Sequence, residues 1–302
     1  MDNLLFNKIK GFIQLIRPVN TLICGLSVLC GGIIREKPLD HLYELITCLT
    51  TNEIPSWSLR ILSAALSASL ILAAGNAFND VRDVSCDRIN APYRPLPSGT
   101  VTPQEATVFA LLLTLMGIIL SMPLGQPGIA VAFTAVILLF VYNMRLKGVP
   151  LLGNAVVACL GGLAFLYGGI AGNAVQRALI PAAFAVLYHL GRELIKDAQD
   201  MNGDCSAGIR TAATVWGTSM ACRLSSIIFI ILAAATVIPF VSGYFGTAYG
   251  VIIGLGVWPV IIYSVTVSLK YPSEKQLLNV SHMLKVAMPV GIIGVLAGFQ
   301  GW

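Results

Sequence analysis

Nine stretches of roughly twenty mostly apolar residues constrain this chain more than any other feature: 14–34, 61–80, 103–123, 127–144, 150–173, 178–196, 222–243, 246–268 and 283–301. A helix needs about 20 such residues to cross the hydrocarbon layer of a bilayer. Backbone groups in lipid must be paired within their own segment, so each run reads as a helix. The expected fold class is all-α: a polytopic membrane protein of nine transmembrane helices, forming a single membrane-embedded domain over 1–302. A soluble core is excluded by run length, and by a charged fraction of only 11%, where soluble domains carry about 25%. The first run is long and lacks a small-residue cleavage site, so it is expected to be a retained helix.

The basic residues orient the chain. Fifteen of the 19 Lys and Arg fall on the side that holds the N-terminus and every second connection, and four (Arg35, Lys37, Arg60, Arg177) fall on the other. The expected topology has the N-terminus in the cytoplasm and the C-terminus outside. Residues 36–60 then form the one long polar connection, on the outer face. "DHLYELITCLTT" within it is a candidate interfacial helix. The net charge of +5 is thus a topology signal and no argument for nucleic acid. No obligate protein partner is evident.

Seven scattered cysteines (24, 30, 48, 86, 159, 205, 222) form no CxxC pair and read as small core residues. The three histidines, His41, His189 and His282, are isolated. Only His189 lies near acids, and a packed role is expected for it. Phosphate-binding glycine loops and HExxH helices are absent.

The acids are not scattered. Seven of the 14 Asp and Glu lie in two windows, "NDVRDVSCD" (79–87) and "GRELIKDAQDMNGD" (191–204), each at the cytoplasmic end of an expected span. Asn76, Asp80, Asp83 and Asp87 follow i, i+4, i+7, i+11, and so do Glu193, Asp197, Asp200 and Asp204. On a helix that spacing keeps all four on one stripe. Asn79, Asp83 and Asp87 give a second parse at i, i+4, i+8. Like charges one turn apart repel, so the stripes make sense with cations between them. Mg²⁺ takes oxygen ligands and shares them with substrate phosphates. A single acid at a span end is an ordinary solvated turn; two matched sets facing one side point to a site for divalent cations and a diphosphate.

Bases interleave with the acids: Arg82, Arg88, Arg94, Arg192 and Lys196, with Arg145 and Lys147 on the same side. Together they suit a polyanion, Arg as a fork and Lys as a point charge. "APYRPLPSG" (91–99) holds three prolines and a glycine, so it cannot be helical. It is a stiff loop, placed to cover the site.

At these residues the chain resembles the UbiA superfamily of intramembrane prenyltransferases, over nearly its whole length. "LIRPVN" (15–20) is similar to that family's Arg-Pro-x-Asn element. "NDVRDVSCD" fits its NDxxDxxxD motif, "YNMRLK" (142–147) its Tyr-x-x-x-x-Lys element, and "KDAQDMNGD" (196–204) its second DxxxD motif. The resemblance implies a nine-helix bundle with a cavity open to lipid, in which Mg²⁺ held by both motifs binds an isoprenyl diphosphate. An acceptor then captures the allylic carbocation. It places the metals at Asn79, Asp83, Asp87, Asp200 and Asp204, with Asp80 and Asp197 adjacent, and makes Asp83, Asp87, Asp200 and Asp204 the catalytic acids. It assigns diphosphate contacts to Arg17, Arg94, Tyr142, Lys147 and Lys196, with Asn20 also lining the site.

The second motif is most similar to that of archaeal-type enzymes that prenylate geranylgeranylglyceryl phosphate. "INAPYRPLPSG" is also similar to chlorophyll synthases, and an aromatic-acid acceptor stays open. Cys86, "DCSAG" and the long 36–60 connection depart from the usual family pattern. Arg145, Arg192, Lys196 and Arg210 are candidates for a second anionic headgroup, which suits a phosphorylated, lipophilic glycerol ether. The rival class is a cation-coupled transporter, but its broken helices would sit at the membrane midplane, whereas here the acids crowd one face.

Overall fold

In the computed structural model residues 2–34 and 56–299 are described, and they are helical nearly throughout. Among them the only extended pairing is an isolated bridge between Phe245 and Phe299. The 40–51 segment, His41 and Cys48 lie outside the described residues, as does most of the 36–60 connection.

The first expected span begins earlier and is bent. Helix α1 (Asp2–Ile16) and helix α2 (Pro18–Ile33) meet at 46°. Arg17 sits at the bend in the left-handed region, φ 52. Pro18 is the cause: it disfavours the right-handed helical region for the residue before it, and it opens α2 where its missing N–H has no partner to lose.

Helix α3 (Ser56–Arg82) stops one residue short of Asp83. A single non-helical residue follows, and α4 (Val84–Asn90) resumes beyond it. Helix α5 (Pro103–Ser121) starts from a capping box between Thr102 and Glu105, and Lys8 of α1 pairs with Glu105. A 3₁₀ turn at Met122–Leu124 and Gly125 at φ 71 separate α5 from α6 (Gly125–Val141). Helix α7 (Leu152–Ala171) precedes α8 (Val175–Ser206), the longest at 32 residues. The helix runs ten residues past the expected end of that span at 196 and carries the second acid window with it. Nothing stops the helix until Gly208, whose φ of 67 supplies the left-handed termination that glycine favours. Then come α9 (Ala212–Trp216), α10 (Thr218–Val241), α11 (Thr247–Ile252), α12 (Trp258–Ser268) and α13 (Glu274–Gly298). A π turn at Ile253–Val257 joins α11 to α12, just before Pro259, which has no N–H to offer Leu255.

Seven helices among the described residues are long and apolar enough to cross a membrane, or eight with the bent α1–α2 pair. The expected nine is not reached by that count, because 103–146 enters it as one run of 44 residues. Helix α2 packs on α7 at the closest range the backbone permits. A Cβ on Gly168 would fall 1.9 Å from the Val28 carbonyl oxygen, and one on Gly31 2.0 Å from that of Phe165. Small residues at helix crossings are what draw helices together where lipid removes the hydrophobic drive. Helix α8 sits against α7, α10 and α13, with Leu194, Ile195, Phe229 and Leu284 buried between them.

The outward faces are apolar: Leu111, Leu115, Ile227 and Ile262 are all exposed. In water such a belt would drive aggregation; against acyl chains it is the stable arrangement. The chain is a multi-pass membrane protein. Cys30 and Cys222 are buried as expected, while Cys159 and Cys205 are exposed: one lies on the outer face of α7, the other at the solvated end of α8.

Candidate functional site

The unbroken run of α8 keeps the second acid window on one face. Glu193, Asp197, Asp200 and Asp204 all line a single cavity of about 800 Å³. Asp197 accepts from Asn154 Nδ2 at 3.0 Å and from the Ala212 N–H at 3.3 Å. Asp200 accepts from Lys196 Nζ at 2.9 Å and Gln199 Nε2 at 3.1 Å. Arg192 donates to Glu193 at 3.0 Å. Among the described residues the Asp204 side chain has no hydrogen-bond or ion-pair partner.

The first window is divided by the break at Asp83. Asn76, Asn79, Asp83 and Asp87 line the same cavity, and Asp80 does not. The i, i+4, i+8 parse of Asn79, Asp83 and Asp87 therefore describes the wall. Asp80, expected beside the metals, is buried and paired with Arg17 at the α1–α2 bend. Its carboxylate faces a kink that sequence spacing does not reveal. Asn79 Nδ2 donates to Asp83 at 2.7 Å, and Lys147 pairs with the same carboxylate. Arg94 Nη1 reaches both Asp87 oxygens, at 2.8 and 2.7 Å. Burial works against the Arg94 charge, but the Asp87 hydrogen bond and charge outweigh it, so the guanidinium is held above its ordinary value.

Local backbone irregularity aims the remaining groups. The chain forms a π turn at Tyr142–Leu146, closed by Lys147 N–H to the Tyr142 carbonyl at 2.9 Å. Such single-turn bulges re-aim side chains. Here Tyr142, Asn143 and Lys147 face the cavity, and Arg145 is turned outward and exposed. Arg210 is likewise off the cavity wall and exposed, because Ile209 and Thr211 on either side of it point inward. Neither Arg145 nor Arg210, expected as bases for a second headgroup, lines this cavity. Arg17, Asn20, Arg192 and Lys196 do line the cavity. The 91–99 loop is non-helical as expected, folded on itself by Ser98 N–H to the Arg94 carbonyl at 3.0 Å and Val101 N–H to that of Pro95 at 3.1 Å. It contributes Ala91, Tyr93 and Arg94 to the wall.

Several wall residues escaped the sequence reading, among them Glu274, Gln199 and Tyr167. Asn143 lies inside the YNMRLK element, where the sequence singles out only Tyr142, Arg145 and Lys147, yet it lines the wall. His189, expected to be packed, lines the cavity. Lys285 on α13 also lines it, although in sequence it counts only as one more cytoplasmic charge.

The polar end thus gathers carboxylates and amides from both acid windows, interleaved with bases. Among the described residues no three His, Cys, Asp or Glu side chains are drawn together as a bound metal draws them, because Asp83, Asp87 and Asp200 are each engaged by a base. Beyond this end the wall is apolar, with Ile23, Leu72, Leu139 and Leu160. A polyanionic head with an apolar tail fits that polarity.

The comparisons agree with this architecture. Residues 45–285 match the UbiA prenyltransferase family. Digeranylgeranylglyceryl phosphate synthase of Methanopyrus kandleri is 31% identical over 288 residues, covering 95% of this chain and 98% of that protein. The synthase of the same name from Methanoculleus marisnigri is 36% identical over 240 residues, 77% of each chain. A solved structure from work on digeranylgeranylglyceryl phosphate synthase in membranes superposes with a TM-score of 0.71 at 27% identity, covering 96% of this chain and 98% of the other. A UbiA homolog from Archaeoglobus fulgidus bound to GPP and Mg²⁺ shares the fold, with a TM-score of 0.65 at 17% identity over 94% of this chain and 99% of its own. On sequence and on fold alike, the chain belongs to the UbiA prenyltransferase family.

Proposed function

We propose that this prenyltransferase transfers a geranylgeranyl group from its diphosphate to geranylgeranylglyceryl phosphate, in ether-lipid synthesis. The observation that carries the reading is the meeting of both acid windows on one cavity wall, with bases between them and an apolar wall beyond. The relatives of 30–36% identity are synthases of digeranylgeranylglyceryl phosphate. A UbiA homolog of the same fold binds GPP and Mg²⁺.

The donor set suits Mg²⁺. The Asn79 amide and the carboxylates of Asp83, Asp87, Asp200 and Asp204 are hard oxygen ligands, and Asp204 has no base to displace. When bound, Mg²⁺ would neutralise charge on the leaving diphosphate. Lys147, Arg94 and Lys196 bind and orient that diphosphate, exchanging their carboxylate partners for phosphate oxygens. Tyr142 and Arg17 close the same end. The apolar wall holds the prenyl chain and keeps water from the reacting carbon. The bond between the prenyl C1 and the diphosphate oxygen breaks, and a bond from C1 to the glycerol oxygen forms. The hydroxyl proton leaves with the products.

The site is read as lying at one membrane face, since both acid windows are at the ends of apolar helices. The 15:4 asymmetry of Lys and Arg supports a cytoplasmic N-terminus and a cytoplasmic site. A straight 44-residue helix would be roughly 66 Å long, about twice the hydrocarbon thickness. The arms before and after Gly125 therefore cross separately, for nine spans in all. A cysteine at position 125 is expected to label from outside, and one at 147 only after permeabilisation.

The test is turnover of labelled geranylgeranyl diphosphate by purified enzyme with Mg²⁺. The acceptor panel is geranylgeranylglyceryl phosphate, chlorophyllide and 4-hydroxybenzoate. The glyceryl phosphate should be prenylated, and a chelator should stop the reaction. Prenylation of another acceptor alone would overturn the substrate assignment.

A further inference from the structure

Six Lys and Arg line the cavity: Arg17, Arg94, Lys147, Arg192, Lys196 and Lys285. Five are paired with acids, to Asp80, Asp87, Asp83, Glu193 and Asp200 respectively. Lys285 is the exception. Among the described residues its side chain has neither a hydrogen bond nor an ion pair, although it is only partly exposed. A cation left alone on the wall of a membrane-embedded cavity is costly.

Its neighbours raise that cost. The Tyr188 hydroxyl donates to the Leu284 carbonyl at 2.6 Å, which sets α13 against α8 at this level. Arg192, one turn along α8 from Tyr188, is close enough for its charge to repel that of Lys285, as is that of Arg17. Arg192 binds Glu193 through Nη1 only; its Nε is buried with no partner. Two bases from different helices thus stand close together on the cavity wall, and among the described residues no acid is paired with Lys285. Like charges converge this way where an anion is to be held.

The same place is amphiphilic. Met288, one turn from Lys285, lines the main cavity together with Ile23 and His189, and all three also line a smaller apolar pocket of about 90 Å³. That pocket runs on between α8, α10 and α13 past Phe184, Leu232 and Ile292. An anion on Lys285 therefore has an apolar recess immediately beside it. Arg94, Lys147 and Lys196, by contrast, are the bases assigned above to the donor's diphosphate.

We infer that Lys285 and Arg192 form a second anion subsite, which binds the phosphate monoester of an amphiphilic acceptor with its chain directed towards the Phe184–Ile292 recess. The inference rests on the acceptor reading above, and names the residues that would select for a phosphorylated acceptor.

The experiment compares wild-type, K285M and K285R enzyme with geranylgeranylglyceryl phosphate and with unphosphorylated geranylgeranylglycerol. KM is measured separately for acceptor and donor, and folding is checked by thermal melt. Loss of a charged hydrogen bond should raise the acceptor KM of K285M by about tenfold or more. The donor KM should move less than about twofold, since a group that binds one ligand affects mainly that ligand's affinity. K285R should recover most of the loss, and K285M should lose the wild-type preference for the phosphorylated acceptor. If wild type uses the glyceryl phosphate but K285M leaves its KM unchanged, or raises the donor KM more, the subsite is wrong and the acceptor reading stands. If K285M fails to fold, K285R and K285Q carry the same comparison. If wild type ignores the glyceryl phosphate altogether, the acceptor reading fails first and takes the subsite with it.

Discussion

The two acid windows match in sequence spacing and differ in what they hold. In the first, each aspartate is tied to a base from another part of the chain: Asp80 to Arg17 at the α1–α2 bend, Asp83 to Lys147 after α6, and Asp87 to Arg94 in the proline-rich loop. In the second, the ion pairs are local to α8, Arg192 with Glu193 and Lys196 with Asp200, and Asp204 has none among the described residues. The first window fastens three segments of the bundle to α3 and α4. The second stands on a helix already fixed by its core contacts, and of its four acids Asp204 is the one without a partner among the described residues. The first window therefore binds the bundle through ion pairs at every aspartate, whereas in the second Asp197 holds neighbouring segments and Asp204 is free of such ties. This difference separates variants that lose activity and stability from variants that lose activity only.

The largest expected effects fall on turnover. Asp83→Asn and Asp204→Asn should each lower kcat by at least about a hundredfold, the scale for removing a group that stabilises transition-state charge. Measured with labelled donor, near-normal turnover of either variant would end the two-window description. Stability is the next discriminator. Asp83→Asn leaves Lys147 in the cavity without its partner, which should cost about 1–3 kcal/mol and lower the melting temperature in detergent. Asp204→Asn breaks no pair, and it removes a like-charge contact with Asp200 one turn away worth about 0.2–0.5 kcal/mol. Its melting temperature should hold or rise. Equal destabilisation by the two would erase the contrast.

Asp80→Asn sharpens the comparison within the first window. Because Asp80 lies off the cavity wall, its substitution should lower stability through Arg17 while costing far less turnover than Asp83→Asn. A loss as deep as that of Asp83→Asn would return Asp80 to the metal set. The smallest effect belongs to Arg145, which is turned outward. Arg145→Ala should change acceptor KM by less than about twofold, as surface substitutions away from a site do.

These contrasts were only partly legible in the sequence. Run length read the spans, and the i, i+4 spacing located both acid windows, because hydrophobic length and helical period are local properties. The bend at Arg17, the break at Asp83 and the π turn at Tyr142 are not periodic features. The π turn leaves Arg145 off the cavity wall while Lys147 is on it, and the bend sets Arg17 against Asp80, which stays off the wall although Asn76 and Asn79 of the same helix α3 line it. Spacing on α8 was reliable because that helix has no break. Lys285 was missed for a different reason. It lies about eighty residues beyond the second window, and only the packing of α13 on α8 brings it to the cavity.

The central claim is that the two windows act as one site. A double-variant cycle on turnover with geranylgeranyl diphosphate and geranylgeranylglyceryl phosphate tests it most directly, using wild type, Asp83→Asn, Asp204→Asn and the combination. Groups that act as a unit are strongly non-additive. The double variant should therefore be no more than about tenfold slower than the worse single variant. Losses that multiply across the two substitutions would mean two independent sites, and would contradict the account.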